Sequence, residues 1–264
     1  MNVNKVAFIF LLASHALLSI DSKFEHPLRI EPASIYTKLR LDGAIAENHQ
    51  LDTYQKDKNF SFEGEFKFLE YFSIKLNGGK TWYKTTDTQP ISQWDRWNVA
   101  VKFAKESGSR DSRVVFGGGV RLFNKQIGEH PRAYVAPDLY LIKPHISFGF
   151  GTSGFEVQLE GAFQTETNTK FKEGPKEDFR RYYQFGLSIS QKLTESIRVF
   201  IETDYKEPYN KKVDLNTRAW YWYPGLSLSP YESGRIAISL QFPVSKQDYL
   251  YERGLKISYF HFFE

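Results

Sequence analysis

Residues 60–68 read Phe-Ser-Phe-Glu-Gly-Glu-Phe-Lys-Phe. Phe60, Phe62, Gly64, Phe66 and Phe68 alternate with Ser61, Glu63, Glu65 and Lys67. Successive side chains of a β-strand point to opposite faces, so a strand built here has one apolar face and one charged face. The same period recurs along the chain. Trp97, Val99, Val101 and Phe103 alternate with Asn98, Ala100 and Lys102, Phe155 to Phe163 with Glu156, Gln158 and Glu160, and Ile236 to Val244 with Ala237, Ser239 and Gln241.

Extending the count predicts strands at about 34–46, 60–69, 71–84, 93–105, 113–124, 134–150, 155–166, 180–193, 196–206, 217–229, 235–245 and 253–263. That is about twelve strands, several long enough to cross a bilayer at a tilt. Short turns such as Glu70-Tyr71, Thr152-Ser153-Gly154 and Thr194-Glu195 trade places with longer polar loops, 47–59, 85–92, 124–132, 167–179, 206–216 and 245–252. Outer-membrane barrels have this asymmetry, with short periplasmic turns and longer outside loops.

One segment departs from the pattern. Lys5 precedes an apolar stretch from Val6 to about Leu18, followed by small residues up to Ser22. This has the layout of a secretory signal peptide and is short for a membrane helix. Residues 1–22 are therefore predicted to be a leader, cut after Ala16 or near Ser22, and 23–264 to form the barrel. The chain has no cysteine, which removes disulfides, thiolate metal sites and a cysteine nucleophile. Its formal charge of +4 is scattered among acidic residues, so no nucleic-acid footprint is expected.

A soluble β-sandwich would also alternate. The leader, the loop asymmetry and the aromatic residues near strand ends favour a membrane: Trp82-Tyr83, Trp94, Tyr182-Tyr183 and Trp220-Tyr221-Trp222-Tyr223 stand where an interfacial girdle would form. A sheet in hydrocarbon cannot leave backbone groups unpaired, so it must close on itself. The expected fold is an all-β, transmembrane, antiparallel up-and-down barrel in the bacterial outer membrane.

If the apolar face meets lipid, the polar face meets the lumen. The phase turns inward Arg40, Lys67, Lys75, Arg96, Lys102, Arg113, Arg121, Lys143, Glu156, Glu160, Arg198, Glu202, Arg235 and Lys256, together with Lys38, Asp42, Glu63, Glu65, His145 and Asp204. One reading is a narrow passage for small polar or mildly anionic solutes, since charged rings set pore selectivity. The other is that these charges pair across the lumen and plug it, leaving a closed surface barrel whose loops bind partners. No cofactor is expected, and the histidines show no metal-ligand spacing.

Gly117-Gly118-Gly119 lacks the Lys-Ser/Thr of a phosphate loop, and marks instead a bend or the close approach of a neighbouring chain. His145 and Ser147 share a strand face and could form a base and nucleophile pair. Outer-membrane phospholipases and lipid A deacylases carry a similar His-x-Ser strand pair, presented to lipid, whereas the phase here turns it inward.

Two hairpins, Phe62 to Gly79 and Ala219 to Val244, resemble outer-membrane barrels of the meta-pathway of phenol degradation. The matching residues are Pro224, Gly225 and Leu226, then Phe242, Pro243 and Val244. The resemblance implies a barrel of the small-molecule transport type.

The chain ends Gly254-Leu-Lys-Ile-Ser-Tyr-Phe-His-Phe-Phe-Glu264. Leu255, Ile257, Tyr259 and Phe263 form the apolar face of a closing strand. They resemble the terminal aromatic signal read by barrel-assembly machinery, with Glu264 one residue past the edge.

Overall fold

The computed structural model describes residues 27–29, 31–50, 53–85, 89–95, 97–109, 112–124, 127–128, 140–167, 181–208, 219–244 and 253–263. They hold strands β1 (Lys38–Gln50), β2 (Thr53–Leu69), β3 (Phe72–Thr85), β4 (Ile91–Trp94), β5 (Asn98–Gly108), β6 (Ser112–Phe123) and β7 (Ile127–Gly128). Then follow β8 (Leu141–Thr152), β9 (Phe155–Glu166), β10 (Tyr182–Lys192), β11 (Ile197–Pro208), β12 (Ala219–Tyr231), β13 (Gly234–Pro243) and β14 (Arg253–Phe262). The predicted leader over 1–22 lies outside the described residues.

Twelve strands form a ring. Antiparallel neighbours run from β1 through β2, β3, β5, β6 and β8 to β14, and β14 returns to β1 through a register from Lys38↔Phe262 to Glu47↔Arg253. Closure leaves the ring itself no open edge, as a bilayer demands. β4 and β7 stand outside the ring, β4 pairing with the end of β3 from Lys80↔Trp94 to Tyr83↔Ile91.

The two faces are inverted relative to a water-soluble protein. Phe66 (58% exposed), Ile146 (63%), Phe116, Leu122 and Phe185 project outward, while Lys75, Lys102, Glu156, Glu202 and Arg235 are almost wholly buried. A soluble sandwich would bury the apolar face; a continuous apolar outer wall of this extent belongs in hydrocarbon. Trp82, Trp94, Trp220 and Trp222 are exposed near the strand ends, and Tyr83, Tyr182, Tyr221 and Tyr223 turn inward. The fold is that of an outer-membrane β-barrel.

Four boundaries differ from the sequence expectation. The loop expected over 47–59 is the tip of a hairpin paired out to Gln50↔Thr53. Glu47 accepts from Lys56 Nζ at 2.9 Å and Tyr54 Oη at 3.0 Å, and Arg253 Nε lies 3.2 Å from it. Opposite charges across the strands thus replace apolar alternation there. The strand expected over 93–105 breaks between β4 and β5. There Asp95 N–H donates to Gly79 O at 2.9 Å, and its carboxylate accepts from Asn59 and Thr81 at 2.6 and 2.7 Å.

The strand expected over 134–150 is seen as β8, which carries Pro144 outward opposite Val120 without a break; residues 134–139 lie outside the described set. Lastly, the strand expected from residue 34 begins at Lys38. Pro32 removes one donor from any ladder ahead of it, and the residues before Lys38 have another place.

Candidate functional site: a segment inside the ring

The described residues from Pro27 to Tyr36 are bonded from all sides of the barrel. Leu28 N–H and Arg29 N–H donate to the two oxygens of Glu202 on β11, at 2.7 and 2.8 Å. Glu31 N–H donates to Glu160 on β9 at 2.9 Å, and Ala33 N–H to Gln158 at 3.1 Å. Leu28 O accepts from Arg40 on β1 at 2.8 Å and from Lys256 on β14 at 3.0 Å, while Pro32 O and Ser34 O accept from Lys102 on β5 at 3.3 Å each. A segment that meets β1, β5, β9, β11 and β14 together must run through the middle of the ring. Its backbone groups, which have no ladder to join, take lumen side chains as partners instead.

Glu31 is the charged centre of this contact. Its carboxylate lies 2.7 Å from Lys75 Nζ and 3.1 Å from Lys102 Nζ, and it also pairs with Arg121. Glu63 bridges Lys75 at 3.0 Å and Lys38 at 3.5 Å, and Glu65 bridges Lys38 at 3.0 Å and Lys102 at 3.4 Å. Buried ions are tolerated only when paired in this manner, and removing one partner of such a group costs about 3–5 kcal/mol.

Apolar contacts complete the docking. Leu28 packs in a cluster with Phe200, Ala237, Phe260 and Phe262, which Tyr36 abuts, and Ala33 and Ile35 pack with Ala104 and Val115. Burying a side chain such as Leu28 or Ile35 contributes about 1.5–3 kcal/mol. The glycines make room. A Cβ on Gly117 would lie 2.6 Å from Ala33 O, so this part of the triple-glycine run lets the inner segment pass close against the wall. A Cβ on Gly225 would lie 2.2 Å from the Phe200 ring, so the Pro-Gly-Leu stretch leaves the space that Phe200 fills.

The sequence-predicted lumen residues fall into three groups. Arg40, Lys75, Lys102, Glu156, Glu160, Arg198, Glu202, Arg235 and Lys256 are buried on the inner face, and Arg113, Arg121 and Lys143 are half-buried there. Lys67 is exposed at the rim, beside Thr37, whose hydroxyl accepts its N–H at 3.2 Å; its phase is inward but the wall ends before it can be enclosed. Arg96 lies outside the described residues. Pairing is general: Arg113 meets Glu156 at 3.1 Å, Lys143 meets Glu160 at 3.2 Å, and Asp42 joins Arg40 at 2.8 Å with Lys256 at 3.0 Å.

Sequence reasoning missed Glu31. The signal was available in the failure of alternation across Pro27 to Pro32, ahead of the first regular strand.

His145 and Ser147 are both buried on the inner face, away from lipid. Among the described residues neither His145 Nε2 nor Ser147 Oγ has a hydrogen-bond partner, so the base-to-nucleophile bond that a serine hydrolase uses is not formed. No group of three His, Cys, Asp or Glu among the described residues could hold a metal ion. A concavity of 670 Å³ opens on the outer wall, lined by Phe116, Ile146, Phe148, Leu159, Phe185 and Trp220, and its apolar surface suits acyl chains.

No family model matches the chain, and no curated protein matches it in sequence. Solved structures do match. An outer membrane channel from Pseudomonas putida F1 is similar at 8% identity over 91% of this chain and 100% of that one, with a TM-score of 0.68. The NanC porin is similar at 9% identity over 86% and 100%, with a TM-score of 0.54. The translocator domain of the autotransporter NalP from Neisseria meningitidis is similar at 10% identity over 98% of both chains, with a TM-score of 0.50. The fold is shared by channels and by a translocator domain, so the function must be argued from the interior.

Proposed function

We propose that this barrel is an outer-membrane channel for small polar solutes, held shut by its own N-terminal segment. The observation that carries the reading is the docking of Glu31 on Lys75, Lys102 and Arg121, inside a ring whose inner wall carries paired charges on β1, β2, β3, β5, β6, β8, β9 and β14. Opening needs only the segment to leave. Lys75, Lys102, Arg40 and Lys256 would then each lose one partner and face water with Glu63, Glu65 and Asp42 still beside them, and the excess of basic groups on the wall gives the passage a mild preference for anions.

The resemblance to barrels of the meta-pathway of phenol degradation belongs to this proposal. It rests on Pro224-Gly225-Leu226 and Phe242-Pro243-Val244, and Gly225 there serves the packing of Phe200 against the inner segment. Export by a leader over residues 1–22 belongs to it as well, since it would leave the inner segment close to the start of the mature chain.

The filled interior also favours a second reading, a closed surface barrel that binds partners through its loops. Planar-bilayer recordings separate the two. Purified intact protein should show rare openings, and a variant lacking residues 27–36 should show steady stepwise conductance with anion-selective reversal potentials. A deletion variant that keeps heat-modifiable gel mobility yet never conducts would establish the closed barrel instead.

A further inference from the structure

The outer wall carries a group of lysines with no counter-charge among the described residues. Register places side chains of paired residues on one face, so three rows can be read across β1, β2, β3 and β4. The uppermost joins Glu47, Lys56 and Lys84; the next joins Ile45, Lys58, Trp82 and Ser92; the third joins Gly43, Phe60, Lys80 and Trp94. Below them the wall is apolar, with Phe66, Ile74 and Leu76 exposed. Above them stands the charged tip of the β1–β2 hairpin. Lys58, Lys80 and Lys84 therefore sit at the height where hydrocarbon gives way to headgroups, at the loop end of the barrel.

The nearby carboxylates Glu47 and Asp95 are already engaged. Glu47 is taken by Lys56 at 2.9 Å and Arg253 at 3.2 Å. Asp95 turns inward onto Asn59 and Thr81. Among the described residues Lys58, Lys80 and Lys84 have no carboxylate partner. Lys80 is held with its Nζ 5.5 Å from the Trp82 ring and 5.6 Å from the Trp94 ring, two indoles that are 42% and 46% exposed. Cation–π contacts of this length fix the ammonium without neutralising it.

The geometry points to a binding site for a phosphorylated lipid headgroup of the outer leaflet on this wall. Lys58 and Lys80 supply the charge, Lys84 adds to it from above, and Trp82 and Trp94 pack against the glycan or the first carbons of the acyl chains. Three ammonium groups without a carboxylate partner among the described residues, above an apolar wall, match a ligand that is anionic at the top and apolar below. The occupant is a lipid and not a free anion, because Phe60, Trp82 and Trp94 offer most of the adjoining surface.

The site is tested by titrating the detergent-solubilised barrel with diphosphorylated lipid A and with its dephosphorylated form, and counting bound lipid by native mass spectrometry. The intact protein should retain the phosphorylated lipid preferentially. The double variant Lys58→Gln/Lys80→Gln should lose about thirtyfold in affinity. Lys84→Gln alone, a change at an exposed side chain, should lose a smaller factor. Lys56→Gln, which alters a cation already paired, should lose little. Equal retention of the two lipids, equal retention by the double variant while its heat-modifiable mobility is intact, or full displacement by millimolar inorganic phosphate would each overturn the proposal.

Discussion

The carboxylate of Glu31 lies 2.7 Å from the Nζ of Lys75, 44 residues further along the chain, and both side chains are almost wholly enclosed by the ring. Replacing Glu31 with alanine removes the carboxylate shared by Lys75, Lys102 and Arg121, leaving Glu63 beside Lys75 and Glu65 beside Lys102. The penalty of about 3–5 kcal/mol falls mainly on the docked segment, since the strands are held by their own ladders. Glu31→Ala should therefore raise the open probability in planar bilayers by orders of magnitude, and Glu31→Asp by less. An open probability unchanged from the parent would mean that Glu31 does not hold the segment.

Gly117→Val tests the steric fit. A Cβ there would stand 2.6 Å from Ala33 O and 3.0 Å from Phe103 O, and the inner segment has more freedom to yield than β5. Limited proteolysis followed by mass mapping should show cleavage within residues 27–36 in the variant and protection in the parent. Equal protection in both would show that the wall and the segment are not in contact at this point.

At the other terminus, Phe263 N–H donates to Thr37 O at 2.9 Å, and its ring is half exposed at the rim. Phe263→Ala should reduce the fraction of protein that runs as a heat-modifiable band. Removing Glu264, which lies outside the described residues, should leave that fraction as it was. The reverse pair of results would place the assembly signal in a different register.

For His145 and Ser147, enclosure and the missing bond between them predict no hydrolase chemistry. Acyl release from phospholipid in detergent should be absent in the parent and unaltered in Ser147→Ala. Release from the parent that disappears in the variant would reinstate the catalytic pair.

The ring was legible because lipid and lumen impose opposite demands on alternate residues, so Phe66 and Glu65 advertise their faces without any tertiary information. The rule fails where neither environment applies. Glu47, Tyr54 and Lys56 continue a strand through charge pairs beyond the membrane, and the alternation gives no warning of it. It also fails for Phe200, Phe260 and Phe262, which face inward and are apolar. They make sense only once Leu28 is found among them. What the sequence withheld was the content of the lumen, because a segment threading a tube has no period of its own and borrows its partners from every wall.

The inner segment runs directly into β1, the strand that pairs with β14 to close the ring, and Thr37 at their junction is tied to the last strand. This covalent arrangement favours one order of assembly. A completed tube would have to be threaded afterwards, whereas a chain whose first strand docks on its last carries its own stopper in with the seam. Filling and sealing are then one event, and an Ala33→Cys variant should become unreactive towards a bulky thiol reagent in step with formation of the heat-modifiable form. Reactivity that persists after the barrel has formed would mean that the tube is sealed empty and stoppered later.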